Sequence, residues 1–308
     1  MIELECVSKR YGGATVVDDL SLAIRDGELC VLIGSSGAGK STALKMINQL
    51  IPPSAGTIRI DGKDAATVAP EELRRRMGYV IQSIGLFPHW TVERNVGAVP
   101  ALLGWAKSRI AQRTHELLAL LKLDPERFAR KYPHQLSIGQ QQRVGIARAL
   151  AADPDVLLMD EPFGALDPIT RDALQVEIAR IHRESRKTVV FVTHDMEEAL
   201  KLATRIAVMD RGRLIQAGTP LEILASPANE FVRDLVGQDE LGIRLLSVET
   251  VENRMRRGEA PAAPGIAATA SLRQALSRMI AEGSDRLAVT DADGRPMGAL
   301  HLADIVRR

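Results

Sequence analysis

The sequence predicts an α/β fold with a mainly parallel core sheet, interrupted by a helical insert and followed by a small second β/α module. Three observations carry that prediction. Apolar β runs at residues 156–159, 188–192 and 205–209 alternate with helical patterns at 169–183 and 196–202, the order that βαβ units produce. A β run at 28–33 leads into a glycine-rich loop and then into helical spacing over 40–50. Over 91–151 the β signal almost vanishes, and apolar residues recur at helical spacing, as at 110–121 and 140–151.

Taken in order, the chain opens with β runs at 2–7 and 20–24, separated from each other and from the run at 28–33 by the turn signals Gly12-Gly13 and Asp26-Gly27. The helix over 40–50 stops near Pro52-Pro53, and a β stretch at 57–60 closes on Asp61-Gly62. Beyond Gly237 the character changes. An Ala/Pro/Gly stretch at 258–265 reads as a linker or loop, followed by a helix at 272–281, a strand at 286–290, a turn at 291–294, a strand at 297–300 and a last helix. The expected domains are therefore 1–238 and 239–308.

Composition narrows the function. Forty Lys and Arg against 39 Asp and Glu leave a formal charge of +1 over 308 residues, with no long basic block, so a nucleic-acid groove has no electrostatic support. Cys6 and Cys30 lie in apolar strand-like stretches without CxxC spacing and read as small buried hydrophobes in a reducing compartment. Neither they nor His89, His115, His134, His182 and His301 stand at metal-ligand spacing, so no zinc site is expected. The N-terminus lacks a signal-peptide core and no apolar run approaches the roughly 20 residues of a membrane helix. A soluble chain is expected, which serves any membrane process by docking on other subunits.

The chemistry lies in two stretches. Gly34-Ser35-Ser36-Gly37-Ala38-Gly39-Lys40-Ser41 fits GxxxxGK[ST] between a strand and a helix, the context in which backbone N–H groups and a helix N-terminus cradle a phosphate chain. Lys40 can then reach the outer phosphates and Ser41 can ligate Mg²⁺. The apolar strand ending in Asp160-Glu161 puts two carboxylates where α/β sheets gather ligands, Asp160 to serve the magnesium shell and Glu161 to polarise an attacking water. Without the phosphate loop, the acids would read as a solvated strand end. Together they describe a phosphate-loop nucleotidase of either base preference.

Leu136-Ser137-Ile138-Gly139-Gln140-Gln141-Gln142-Arg143, shortly before the acidic strand, resembles the signature of the ATP-binding cassette family, with Ile138 in place of the first glycine of the usual LSGGQ. The resemblance runs over 1–237 with every motif in order. It implies an antiparallel β subdomain beside the parallel core and a helical subdomain, with ATP and Mg²⁺ as ligands. It implies ATP contacts from Tyr11, stacked on adenine, and from Gly34 through Ser41 and Thr42. It further implies catalytic roles for Gln82, Glu161 and the switch histidine His194, magnesium contacts from Ser41, Gln82 and Asp160, and a D-loop at Gly164-Ala165-Leu166-Asp167. In this family Ser137, Ile138, Gly139 and Gln140 face the ATP of a second copy, so each chain holds half of each site.

The segment after Gln82, with Phe87, His89 and Trp90, reads either as core packing of the helical insert or as a groove for a membrane permease. In this segment, and in the stretches 46–51 and 72–82, the sequence is similar to the glycine betaine, choline and carnitine branch. That likeness implies an osmoprotectant importer at the cytoplasmic face of the inner membrane, with permease subunits and, indirectly, a substrate-binding protein as partners. Residues 247–255 with 270–308 resemble one cystathionine-β-synthase-type (CBS) repeat, a module that packs in pairs, which implies that two chains supply one each. His301 stands where the nucleotide-contacting stretch of that repeat has a small hydroxyl. Two other readings stay open: an importer for another solute such as an amino acid or phosphate, and a non-transport cassette ATPase, whose usual coiled coils or paired cassettes are missing here. A GTPase would need an NKxD motif, which the chain lacks.

Overall fold

The computed structural model describes residues 1–164, 166–259 and 263–306, with backbone only at Gln238 and Val306. Ala165 of the expected D-loop and residues 260–262 of the expected linker lie outside these. Two compact units divide between Ala217 and Gly218, about twenty residues before the expected boundary at 238. The helices at 220–236, which lie inside the expected first domain, pack with the second unit.

In the first unit β1 (Ile2–Tyr11) and β2 (Ala14–Ile24) form a hairpin through Gly12-Gly13. Both glycines have positive φ, as a two-residue turn matched to strand twist demands. β3 (Leu29–Gly34) is wholly buried and runs into α1 (Lys40–Ile47). β4 (Ala55–Ile60) and β5 (Lys63–Asp64) complete an antiparallel sheet of order β2-β1-β4-β5. After α2 (Pro70–Arg75) comes β6 (Met77–Val80), then the helical insert. It comprises α3 (Val92–Val96), α4 (Ala98–Leu102), α5 (Lys107–Leu120), α6 (Pro125–Phe128) and α7 (Ile138–Leu150). The chain returns through β7 (Val156–Asp160), α8 (Pro168–Ser185), β8 (Thr188–Val192), α9 (Met196–Leu202), β9 (Arg205–Asp210) and β10 (Arg213–Gly218).

The second sheet has the order β10-β9-β3-β8-β7-β6, and its five strands from β9 to β6 are parallel. Parallel strands covered on both faces must be apolar throughout, which is why β3, β7 and β8 are continuous buried runs without alternation. One core joins Ile2, Leu22 and Ile58 of the antiparallel sheet to Leu44 and Met46 of α1 and Leu158 and Val190 of the parallel sheet. The order places the carboxyl ends of β3, β7 and β8 side by side, so the three loops that leave them meet at one edge.

The expectation that both cysteines are buried holds for Cys30 and fails for Cys6, which is exposed. The register of β1 shifts between Leu4 and Val7, and Cys6 sits there with φ +50°. A bulge sets two residues against one and reverses the alternation, so Val7 turns inward in place of Cys6.

The second unit begins with α10 (Pro220–Ala225) and α11 (Glu230–Val236), followed by α12 (Leu241–Val248), which packs on α10 and on α13 (Leu272–Glu282). β11 (Arg256–Arg257), β12 (Gly265–Ala267), β13 (Arg286–Thr290) and β14 (Pro296–His301) form a sheet of order β11-β14-β13-β12, and α14 (Leu302–Val306) follows. Val251, Leu272, Met279, Leu287, Val289 and Leu300 make its own small core.

Burial pushes the Cys30 thiol up to about 12, whereas Cys6 stands in solvent. A disulfide-forming thiol reagent at pH 8 is therefore expected to titrate one thiol per native chain and two after denaturation. Two fast-reacting native thiols would contradict the placement of Cys30.

Candidate active site

The loop between β3 and α1 closes around the Lys40 side chain. Lys40 is 6% exposed, and its Nζ donates to the carbonyls of Gly34 at 2.7 Å and Ser35 at 2.8 Å. Burial pulls the ammonium below its ordinary range, and the nearby Glu161 and Asp160 carboxylates oppose that pull. Gly39 makes the loop possible. It caps α1 with φ +92°, and a Cβ there would lie 2.6 Å from the Val16 carbonyl of β2. The β1–β2 hairpin is thus packed directly on the loop. Tyr11, at the end of β1, is exposed on that same hairpin, with Lys9 Nζ 5.1 Å from its ring centre.

Asp160, the last residue of β7, is buried and accepts a 2.7 Å hydrogen bond from Ser41 Oγ. Burial raises its carboxyl above the usual range, with the Ser41 hydrogen bond and the Lys45 and Lys40 charges acting the other way. A hydroxyl and a carboxylate oxygen in contact are hard donors of the kind that suit Mg²⁺, which takes one or two protein oxygens and completes its shell with phosphate and water.

Glu161 follows at φ +45°, its N–H bonded to the Val192 carbonyl of β8. This non-glycine residue in the left-handed region turns its side chain away from the sheet and into the space before the loop. Gln82 Nε2 donates to its Oε2 at 3.1 Å, and His194 Nδ1 lies 3.4 Å from its Oε1. Sequence motifs 33 and 79 residues from Glu161 thus converge on one carboxylate. Gln82 stands two residues past the end of β6, which stops at Val80. His194 follows β8 by two residues and is mostly exposed.

Ser137, Ile138, Gly139, Gln140 and Asp167 form a second group. Ser137 caps α7 in a reciprocal box with Gln140, accepting from Gln140 N–H while its own N–H donates to Gln140 Oε1 at 3.1 Å. Gly139 lies against α8, where an added Cβ would meet Thr170 Cγ2 at 2.8 Å. Ile138, by contrast, points outward and is 54% exposed, so the position tolerates a side chain within the single chain. Asp167 caps α8 by accepting from Thr170 N–H at 3.0 Å, and Thr170, through its hydroxyl first and its N–H second, holds the Asp167 carboxyl below the usual range. The D-loop leaves directly from Glu161, whose carbonyl accepts from Gly164 N–H at 3.3 Å.

Sequence reasoning missed several supports. Asp210 accepts from Ser35 Oγ at 3.1 Å. Beneath His194, Thr193 Oγ1 donates to buried Glu198 at 2.6 Å, which pins the loop to α9. The wholly buried Asn95 ties the Phe87, Trp90 and Thr91 carbonyls together. Only Asn95 left a signal, as a polar residue within the buried face of Val92 and Val96. Phe87 and Trp90 themselves lie 4.4 Å apart by ring centres, with Arg94 4.3 Å over the Trp90 ring. They line an open groove of about 600 Å³ with Arg94, Ala98 and Leu102, so the core-packing reading does not hold.

A glycine loop around a buried lysine, a paired hydroxyl and carboxylate, and a glutamate held by Gln and His define a nucleotide-hydrolysing cassette. The family model described as ABC transporter matches residues 17–164, and the one described as CBS domain matches 261–308. The chain is 53% identical to the glycine betaine uptake system ATP-binding protein YehX of Escherichia coli over 99% of each chain. It is 50% identical to the glycine betaine/carnitine/choline transport ATP-binding protein OpuCA of Bacillus subtilis, over 94% of this chain and 76% of that one. Among solved structures, the dimeric bacterial ABC transporter cassette MJ0796 matches with a TM-score of 0.66 and 35% identity, over 71% of this chain and 98% of that one. The same cassette is also known in a post-hydrolysis state bound to ADP and Pi. The chain belongs to the ATP-binding subunits of ABC transporters, in the glycine betaine, choline and carnitine group. It is accordingly a nucleotide-binding ATPase subunit with a C-terminal CBS domain.

Because its folded-state pKa is raised, ionised Asp160 opposes folding, and that cost is relieved as pH falls through the raised pKa. Asp160→Asn keeps an acceptor for Ser41 and removes the buried charge. It is expected to raise the ligand-free Tm by about 2–4 °C at pH 7, a gain that shrinks as the pH is lowered, while abolishing stabilisation by Mg-ATP. Thermal scans across pH check this; an Asn variant less stable than wild type at pH 7 would contradict it.

Proposed function

We propose that this chain powers an importer of quaternary-amine osmoprotectants such as glycine betaine, choline or carnitine, by hydrolysing ATP between two copies of itself. The observation that carries the hydrolytic part is the Glu161 carboxylate, held between Gln82 and His194 at the mouth of the Lys40 loop. Tyr11 stacks on adenine. The loop from Gly34 to Thr42 binds the phosphates through its N–H groups and Lys40, which exchanges its two carbonyl acceptors for phosphate oxygens. Ser41, Asp160 and Gln82 would hold Mg²⁺, which when bound neutralises phosphate charge. Glu161 accepts a hydrogen bond from the attacking water and takes on its proton as the water oxygen bonds to the terminal phosphorus and the bond from that phosphorus to the ADP oxygen breaks, releasing ADP and phosphate. His194 faces the transferred phosphate and holds Glu161 in orientation.

Ser137, Ile138, Gly139 and Gln140, with Asp167, meet the nucleotide of the second copy. The dimeric state of the similar cassette supports that arrangement, as does the outward exposure of Ile138 beside the capped end of α7. The groove at Phe87 and Trp90 receives a permease subunit, since an exposed Phe87 and a half-buried Trp90 at the rim of an apolar cleft are typical anchors of a protein partner. No described helix is long and apolar enough to cross a membrane. The chain then works from the cytoplasmic face of the inner membrane, and meets a substrate-binding protein only indirectly. Its CBS module, within 239–308, pairs with that of the second copy and serves regulation or dimerisation. Near full-length likeness to glycine betaine and osmoprotectant subunits supports the solute class over amino acids or phosphate.

Glu161→Gln is expected to lower kcat by roughly 10² or more while ATP makes the dimer of this chain more resistant to dissociation on dilution in gel filtration. Near-normal turnover, or a self-association that ATP leaves unchanged, would overturn the reading. Replacing Phe87 and Trp90 together by Ser is expected to weaken co-purification with the permease by about tenfold or more; undiminished recovery would remove the groove from the permease contact.

A further inference from the structure

The Q-loop that carries Gln82 is fastened at a point that neither the motif nor the proposed chemistry uses. Two residues beyond Gln82, Ile84 has φ +64° and Gly85 φ +57°. A β-branched residue in the left-handed region costs energy and persists only where its surroundings impose it. The imposing group is Arg148, in the last turn of α7. Its Nη1 donates to the Gly85 carbonyl at 2.6 Å and its Nη2 to the Ile84 carbonyl at 3.2 Å. Burial draws this guanidinium below its usual range, with no carboxylate offsetting it. A half-buried cation whose described hydrogen-bond partners are two loop carbonyls is costly as a stability device. It makes sense as a clamp.

The clamp joins two parts of the site. At its other end α7 begins at Ser137, the capping residue of the signature. Along its length the helix lies against the same loop, since a Cβ on Gly145 would stand 3.7 Å from the Ile84 carbonyl. Near Arg148 it rests on β6, where a Cβ on Gly78 would come within 2.4 Å of the Ala149 carbonyl. One rigid helix of 13 residues, about 20 Å long, therefore presents the signature at its start and holds the Q-loop at its end. Between Arg148 and Glu161 stands only the short stretch from Gly85 back to Gln82.

We infer that Arg148 is a positioning residue for hydrolysis: it makes the Gln82–Glu161 contact depend on where the signature helix sits. When a second copy engages Ser137 and shifts α7, the Q-loop backbone moves with it, and Gln82 is carried into or out of register with Glu161. This rests on the proposed roles of Gln82 and Glu161, so the test contains a control for them.

The experiment measures ATPase kinetics of the full-length chain for wild type, Gln82→Ala, Arg148→Met, Arg148→Lys and the double variant Gln82→Ala/Arg148→Met, with Tm recorded for each. Arg148→Met is expected to lower kcat about tenfold with KM changed by no more than about twofold, and Arg148→Lys, which keeps one donor, to recover part of that loss. In the Gln82→Ala background the same Met substitution is expected to change kcat by less than about twofold, because two residues acting through one contact are not additive. Full additivity in the double variant, or a rise in KM with unchanged kcat, would overturn the inference. If Arg148→Met fails to fold, Arg148→Lys with and without Gln82→Ala decides by the same criterion. A Gln82→Ala variant with wild-type kcat would instead sink the underlying role of Gln82.

Discussion

Everything at the site depends on burying one ammonium group. Lys40 sits inside a loop whose described acceptors for it are the Gly34 and Ser35 carbonyls, and such acceptors compensate a buried cation poorly. The chain offsets part of the remaining deficit with fields rather than contacts. Asp160 and Glu161, at the end of β7, are near enough to favour the charged lysine. The same low-dielectric setting disfavours the Asp160 carboxylate itself. In the proposed function a polyphosphate with its counter-ion would meet both shortfalls at once, offering anionic oxygens to Lys40 and a cation to Asp160. On that proposal the buried charges of Lys40 and Asp160 are a stability given up in favour of function.

That arrangement rests on the parallel sheet. The adjacency of β3, β8 and β7 is what puts the loop, His194 and Glu161 at one edge, and the left-handed backbone at Glu161 turns its carboxylate into the site. Outside that edge, two linkages carry geometry between motifs. Arg148 binds the Q-loop to the signature helix. Arg171, one turn into α8, donates to the Leu166 carbonyl at 3.4 Å and lies 3.7 Å from Asp195, so the D-loop and the His194 loop share a support. Neither linkage is made of apolar packing alone. Both use guanidinium groups, which can hold several carbonyl or carboxylate oxygens in a fixed plane.

Much of this was legible in the sequence because it is encoded locally. β3, β7 and β8 announce themselves as continuous apolar runs, and the glycine loop, the signature and Asp160-Glu161 are short contiguous patterns. What was not legible has one physical cause: it depends on contacts between residues distant in the chain. The bulge that exposes Cys6 follows from pairing with two partner strands, not from the apolar run that contains it. The helices at 220–236 have unremarkable amphipathic spacing, and only their packing on α12 assigns them to the second unit. Arg148 and Glu198 look like ordinary charged helix residues until the fold sets Ile84 and Thr193 beside them. Phe87 and Trp90 admitted two readings because an aromatic pair has the same periodicity in a core as at a groove rim.

The central claim is that ATP hydrolysis at this site is harnessed to the movement of a quaternary amine. The most direct measurement is ATPase rate in proteoliposomes containing this chain with its own permease, as glycine betaine, choline or carnitine is presented on the cognate binding protein. The account predicts severalfold stimulation by at least one of these amines, none by phosphate or an ordinary amino acid, and no stimulated rate with Glu161→Gln. Stimulation by phosphate or an amino acid alone, with the amines inert, would contradict it.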